Sequence, residues 1–423
     1  MSARQARLCL TAIALCVVAF GIANDFVYDD AAIVRDNALL HSLANWRAIV
    51  GGTYWPSPFV EQLHRPLASL TLAVQYAIGD GSPLPFRIVS GLLYLWGTIA
   101  VYSLACRLVS PAAAFCAAAL FASHPVHVEA VAQAVNQGEL IVGLAAARMV
   151  SRYVDGRRAG RLLWRDWGAM GAWYLVAVGF KESGYVIPGL IVAAELTVLR
   201  AAPSSQIREI AAGTLVLGGV AVAAIAARSS ALAGHVQGAV PFASLRGLDL
   251  YERILTMLQV VPHWVRLLAW PARLRADYTA ADFPPVVSAG STEALVVLAA
   301  LALAAVTWTT RRRVPVFAFG VLWITCGLLP VSNLVPTGIM LADRTLYLPS
   351  IGFVIAVAGL GSALAASSAA SDARRSALFV GCAALVAAGM VKSANRLSLW
   401  NSASLIVTGD SARETPQTTS RPR

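Results

Sequence analysis

The sequence predicts an all-α protein: a polytopic bundle of about eleven transmembrane helices with outer-face loops and one interfacial helix. Three observations carry that expectation. Hydrophobic residues make up 58% of the 423, and the mean hydropathy is +0.66. Charged residues make up only 13%, about half the soluble average. The apolar sequence is also delivered in runs of the roughly 17–25 residues that a helix needs to cross a bilayer, and no soluble core uses so much of it.

The first run, 6–23, opens beside Arg4 and Arg7. It has the layout of a signal peptide, but "GIANDF" is a weak cleavage site and equally apolar runs follow. It therefore reads as an uncleaved signal anchor. A long polar stretch, 24–85, comes next, and then spans at 86–108, 110–127, 139–155, 164–180, 183–199 and 210–227. A second polar stretch, 228–290, contains "YERILTMLQVVPHWVRLLAW" (251–270), which carries Glu252, Arg253, His263 and Arg266 around Pro262. That pattern predicts an interfacial or re-entrant amphipathic helix. The last spans are 291–309, 314–330, 346–368 and 376–392. Residues 1–392 thus form one transmembrane domain, and 393–423 read as a polar, disordered tail. No repeat of roughly 20–50 residues is visible.

The net charge of +11 is topological. Arginines gather in short breaks: "RRAGRLLWR" (157–165), Arg200 with Arg208, "RRR" (311–313) and "ARR" (373–375). The positive-inside tendency puts these clusters and the N-terminus in the cytoplasm and the C-terminus outside. A twelfth span at 251–270 would move the last two clusters outside. Basicity of this kind does not point to nucleic acid. The six cysteines lie in apolar runs without a CxxC pair, so they read as small buried hydrophobes.

The conspicuous polar groups then fall on one face. "NDFVYDD" (24–30) sets Asp29 and Asp30 just past the first span, bracketed by Phe26 and Tyr28. Aromatics at that depth anchor to the interface, and a partly desolvated carboxylate held there can serve as a base. Two acids in a solvated loop are the plainer reading. "SHPVHVEAV" (123–131) brings His124, His127 and Glu129 together. The spacing is not a zincin pattern, and hydrogen bonding to a sugar or phosphate suits it better than a tightly bound metal. "FKESGYVIPGL" (180–190) places Lys181 and Glu182 in a short break, which an ordinary polar turn would also do. In "SNLVPTGIMLADRTLYLPSIGF" (332–353), Arg344 opens an apolar run with no other cation. It either snorkels or grips a phosphate at two points.

Six stretches, "FVYDD", "HRPLASLTLAVQYAI", "HPVHVEAV", "FKESG", "WPARLRADY" and "NLVPTGIMLADRTLYLPSIGF", occur in this order. Together they resemble the TMTC-type membrane O-mannosyltransferases and their bacterial relatives, of the GT-C class, from about residue 20 to about 400. The resemblance implies a polyprenyl-phosphate-linked sugar as donor, transfer outside the cytoplasm, and a protein Ser/Thr or glycolipid acceptor. It implies a multi-pass protein of a bacterial inner membrane. It matches Asp29 and Asp30 to the acidic pair of the catalytic loop, and His124, His127 and Glu129 to the second outer segment. Arg344 matches the Arg before "LYLPS". On this expectation Asp29 is the base and Asp30 orients the acceptor or a divalent cation, Mg or Mn. Arg344, with Lys181 or Arg65, neutralises the departing phosphate, while Glu182 lines the site. The sequence departs from the family at Gln137 and Glu139 in "NQGEL", at Asp343 before Arg344, and in stopping near where tetratricopeptide repeats would begin. Two rival readings are a polytopic transporter, which would place its polar groups near the bilayer midplane, and an inactive paralogue acting as an assembly partner.

Overall fold

A computed structural model describes residues 1–59, 63–199, 201, 204–232, 241–366 and 372–402. Among the described residues every regular element is helical. The chain opens with α1 (Ala3–Ala19) and a loop holding the short α2 (Trp46–Gly51). Then follow α3 (Pro66–Gly79), α4 (Leu84–Leu108), α5 (Pro111–Ala122), α6 (Val128–Ala132), α7 (Gln137–Arg158), α8 (Trp164–Phe180), α9 (Ile187–Leu196) and α10 (Ser204–Ala231). A second long connection carries α11 (Leu250–Leu258) and α12 (Val261–Ala269). The chain ends with α13 (Ser291–Thr310), α14 (Pro315–Leu328), α15 (Tyr347–Ala366) and α16 (Asp372–Leu397). Starts are set by local chemistry. Ser2 and Ser110 cap α1 and α5 through their side chains, and proline occupies the first turn of α3, α4, α5 and α14.

Five helical segments are long and apolar enough to cross a membrane: Leu84–Leu108, Gln206–Ala231, Ser291–Thr310, Asp343–Ala365 and Ser376–Leu397. A sixth is added if α5 and the segment Pro125–Ala132, bent by 46°, count as one. The chain is a membrane protein on this evidence, but eleven crossings are not established by helix length. The other expected spans are short or charged. The run 183–199 becomes a 3-10 turn and the ten-residue α9, and 314–330 centres on the 14-residue α14. The run 139–155 lies in α7, whose 22 residues include Glu139, Arg148, Arg152, Asp155, Arg157 and Arg158. Neighbouring helices, not lipid, surround α7: Leu140, Val142 and Leu144 to Ala147 are fully buried.

The stretch 251–270 is two nine-residue helices, too short to span, since nine residues rise only about 14 Å. Met257, Trp264, Leu267 and Leu268 are buried in one cluster with Tyr278 and Phe283, while Tyr251, Ile254 and Val265 are exposed. At the C-terminus the structure differs from the expected tail. The segment 393–397 completes α16, and Ser393, Arg396, Leu397 and Trp400 are buried. The rest of that expected tail, 403–423, lies outside the described residues.

Helices α14 and α15 approach closely through glycine. A Cβ on Gly352 would stand 2.6 Å from the Gly320 carbonyl oxygen and 2.9 Å from the Ile324 nitrogen. Backbone cannot yield as a side-chain tip can. Gly352→Ala is therefore expected to destabilise by about 1–3 kcal/mol, more than the ~1 kcal/mol that alanine gains in helix propensity. A higher melting midpoint of the purified variant in detergent would refute this packing account.

Candidate functional site

The loop after α1, the α5–α6 bend and the ends of α8, α10 and α16 meet the starts of α4, α7 and α15 at one end of the bundle. Arg87, in the first turn of α4, organises the first part. Its guanidinium donates to the carbonyls of Asn24 (3.2 Å), Asp25 (2.8 Å) and Ala132, and to Asp30 Oδ2 (3.2 Å). Asp30 is fully buried. Its carboxylate also accepts from the backbone N–H groups of Ala134 and Val135, both at 3.0 Å. Burial pushes the Asp30 carboxyl above its ordinary value, against the pull of Arg87 and the two N–H groups. Asp30 thus ties the first loop to the α6–α7 turn. Its oxygens are taken up by Arg87 and the two N–H groups, which gives it a structural part in the site.

Asp29 points elsewhere. Tyr28 sits in the left-handed region at φ 51°, which typically costs an L-residue about 1–2 kcal/mol. Its ring packs on buried Trp400 at 5.8 Å. Asp29 and Asp30 both lie in the helical turn that follows Tyr28, where successive side chains point about 100° apart. The Asp29 side chain is 33% exposed, and Oδ2 lies 3.9 Å from Arg344 Nη2. Arg344 is held from its other side by buried Glu129, which accepts from both the Arg344 backbone N–H (2.8 Å) and Nη1. A partly exposed carboxylate therefore stands beside a guanidinium whose position is set by a second, buried carboxylate.

A second group of charges adjoins the first. Glu182 accepts from Arg65 Nη2 (2.8 Å) and from Arg228 Nη1 (2.8 Å). Burial alone would raise its carboxyl, but Arg65 and Arg228 outweigh that and hold it at about 2. Arg65 also sits 4.9 Å over the Tyr54 ring. Lys181 pairs with buried Glu139 at 2.8 Å and feels the charges of both Arg65 and Arg344, so it links the two groups. Gly138 permits this pairing, because a Cβ there would press on the Phe180 carbonyl and Lys181 at 3.2–3.3 Å.

The histidines are tied into the scaffold by protein hydrogen bonds. His124 Nδ1 accepts from the Val126 N–H (3.3 Å), and its Nε2–H donates to the Leu268 carbonyl (2.9 Å), tying the α5–α6 bend to α12. Ser350 donates to the Tyr347 carbonyl, so His127 Nε2–H donates to Ser350 Oγ (2.8 Å), and Nδ1 faces the Tyr94 hydroxyl at 3.0 Å. Both rings are buried and both nitrogens of each are occupied by protein. Gln137 is likewise turned into the scaffold, exchanging amide hydrogen bonds with Gln75 at 2.8–2.9 Å. Among the described residues no group of three or more His, Cys, Asp or Glu side chains is placed to hold a metal ion. Arg87, Arg228 and Tyr54 were not foreseen from sequence. The available signal was an arginine at each end of an otherwise apolar run, 86–108 and 210–227.

Comparison with known proteins gives related names. The chain is 28% identical over 403 aligned positions to "Protein O-mannosyl-transferase Tmtc3" of Drosophila melanogaster, covering 78% of this chain and 43% of that protein. It is 30% identical over 278 positions to "Protein O-mannosyl-transferase Tmtc2" of the same organism, covering 62% of this chain and 29% of that protein. It is 24% identical over 366 positions to "Protein O-mannosyl-transferase TMTC3" of Mus musculus, covering 79% and 40%. The chain thus spans less than half the length of the curated relatives it matches. No family model and no solved structure matches it.

Proposed function

We propose that this relative of the TMTC proteins is a membrane glycosyltransferase. It moves a hexose, mannose in the first instance, from a polyprenyl-phosphate carrier to a hydroxyl acceptor, with inversion. The observation that carries the reading is the partly exposed Asp29 carboxylate 3.9 Å from an Arg344 guanidinium anchored by Glu129. The names of the relatives agree with a hexosyl transfer.

Asp29 takes the proton of the acceptor hydroxyl as its oxygen attacks the anomeric carbon from the face opposite the phosphate. The bond between the anomeric carbon and the phosphate oxygen breaks, and the polyprenyl phosphate leaves with the bonding electrons. A phosphate leaves without being protonated, so one carboxylate suffices where a glycosidase needs two. Arg344, with Lys181 and Arg65 nearby, neutralises the charge that develops on the departing phosphate. In this reading the site faces the extracytoplasmic side of a bundle of eleven crossings with a cytoplasmic N-terminus, in accord with the arginine clusters. The acceptor is a protein Ser/Thr or a glycolipid.

The test is direct. The purified chain in nanodiscs receives a polyprenyl-phosphate mannose and, separately, Ser/Thr peptides and glycolipids. Mass spectrometry is expected to find a hexose added to one acceptor class and free polyprenyl phosphate released. Failure to transfer from any polyprenyl-phosphate hexose would end the proposal. Movement of the intact donor across proteoliposomes would favour the transporter.

A further inference from the structure

We infer that Arg228 is the capture point for the phosphate of a polyprenyl monophosphate lipid, and that the lipid reaches the site along the C-terminal half of α10. This rests on the reading above only for the choice of lipid.

The first half of α10 is fastened to the bundle. Gly213 lies on the buried Trp167 ring, so closely that a Cβ would stand 1.9 Å from it. Near the start of α10, Arg157 reaches Gln206 and the Leu162 N–H donates to Glu209. The second half touches the core on one side only, through the partly buried Val220, Ala221 and Ala224. From Gly218 to Ala231 no residue is buried, and a Cβ on Gly218 or Gly219 would meet nothing within 4 Å. Val222 is 68% and Ile225 42% exposed. This open flank is apolar. At its end, however, the Arg228 side chain is only 11% exposed and reaches Glu182.

Charge identifies the head group. Arg65 and Arg228 share the single carboxylate Glu182, while Lys181 has Glu139 and Arg344 faces both Glu129 and Asp29, so the local excess of cation sits at Glu182. An anion can enter without displacing a carboxylate into solvent. The Arg228–Glu182 contact is also the one that can open at low cost. Glu182 keeps Arg65 when Arg228 leaves, so no acid is stranded, and stranding a buried charge is what makes breaking such pairs expensive. Arg228 then needs another anion. An apolar flank ending at a transferable guanidinium fits a lipid with an uncharged polyprenyl tail and a phosphate head.

The experiment uses the full chain in detergent, with farnesyl phosphate as probe, farnesol and inorganic phosphate as controls, and binding read by native mass spectrometry or tryptophan fluorescence. Arg228→Gln is expected to weaken farnesyl phosphate binding about tenfold or more, the loss of one charge-assisted contact. Arg228→Lys should stay within about threefold of the parent, because it keeps the charge. Glu182→Gln removes the competitor and should bind as tightly as the parent or tighter. Farnesol binding should not respond to Arg228→Gln. If Arg228→Gln does not elute as a folded protein, the Arg228→Lys and Glu182→Gln arms decide. Weakened binding in Glu182→Gln, or Arg228→Gln binding within about twofold of the parent, overturns the inference. Inorganic phosphate competing as well as farnesyl phosphate would make this an anion site without a lipid path, which also overturns it. Binding that responds as expected in a protein with no transfer activity would sink the transferase reading and leave this one standing.

Discussion

Asp29→Asn is expected to lower the rate of sugar transfer about 100- to 10,000-fold, the range that a positioned general base supplies. The change is isosteric, and an amide cannot take a proton from a hydroxyl. Little else should move. Asp29 is 33% exposed and touches Arg344 only at 3.9 Å, and exposed ion pairs of this kind are typically worth about 0–1 kcal/mol. Arg344 keeps its position through Glu129. The variant should therefore express, elute and melt like the parent while its initial rate collapses. Farnesyl phosphate binding should persist, because Arg228 and Arg65 are untouched. Undiminished transfer by Asp29→Asn would remove Asp29 from the mechanism.

Asp30→Asn should do the reverse and act on stability. Both oxygens of Asp30 are occupied, by Arg87 and by the N–H groups of Ala134 and Val135. An asparagine offers one oxygen, and its NH2 would oppose a donor. Arg87, with a side chain only 3% exposed, would then stand without its carboxylate. Breaking a buried pair from one side typically costs about 3–5 kcal/mol. The measurement is the melting midpoint and the monodisperse fraction in detergent. A companion variant separates charge from packing: Asp30→Asn with Arg87→Met removes both charges and should recover part of the loss. A single variant that melts like the parent, or a double variant worse than the sum of its parts, would contradict the linchpin role.

The two acids illustrate what was legible. They are adjacent in "FVYDD", and sequence reasoning treated them as one catalytic pair. The helical turn that follows the left-handed Tyr28 points them about 100° apart. Tyr28 is held by the ring of Trp400, in a segment expected to be tail. The histidines show the same limit from the other side. "HPVHVEAV" stands out in the sequence, but the partners of its imidazoles are Leu268, Tyr94 and Ser350. Nothing within the motif signals them. Gln137 reads as a departure from a family pattern, and its buried partner is Gln75 on another helix.

Composition and periodic apolar runs by themselves determined that this chain is helical and lives in a membrane. The reason is that the hydrophobic effect and the demand for internal backbone hydrogen bonds act on local sequence. Charge in short breaks likewise marked segments that meet at the candidate site. Tertiary structure alone decided which carboxylate is buried with Arg87 and which is left partly open beside Arg344. It also decided that Glu182 holds two arginines at once and that one flank of the C-terminal half of α10 is exposed. A charged side chain's role depends on its nearest opposite charge and on the water it keeps, and here both are set by helices far away along the chain.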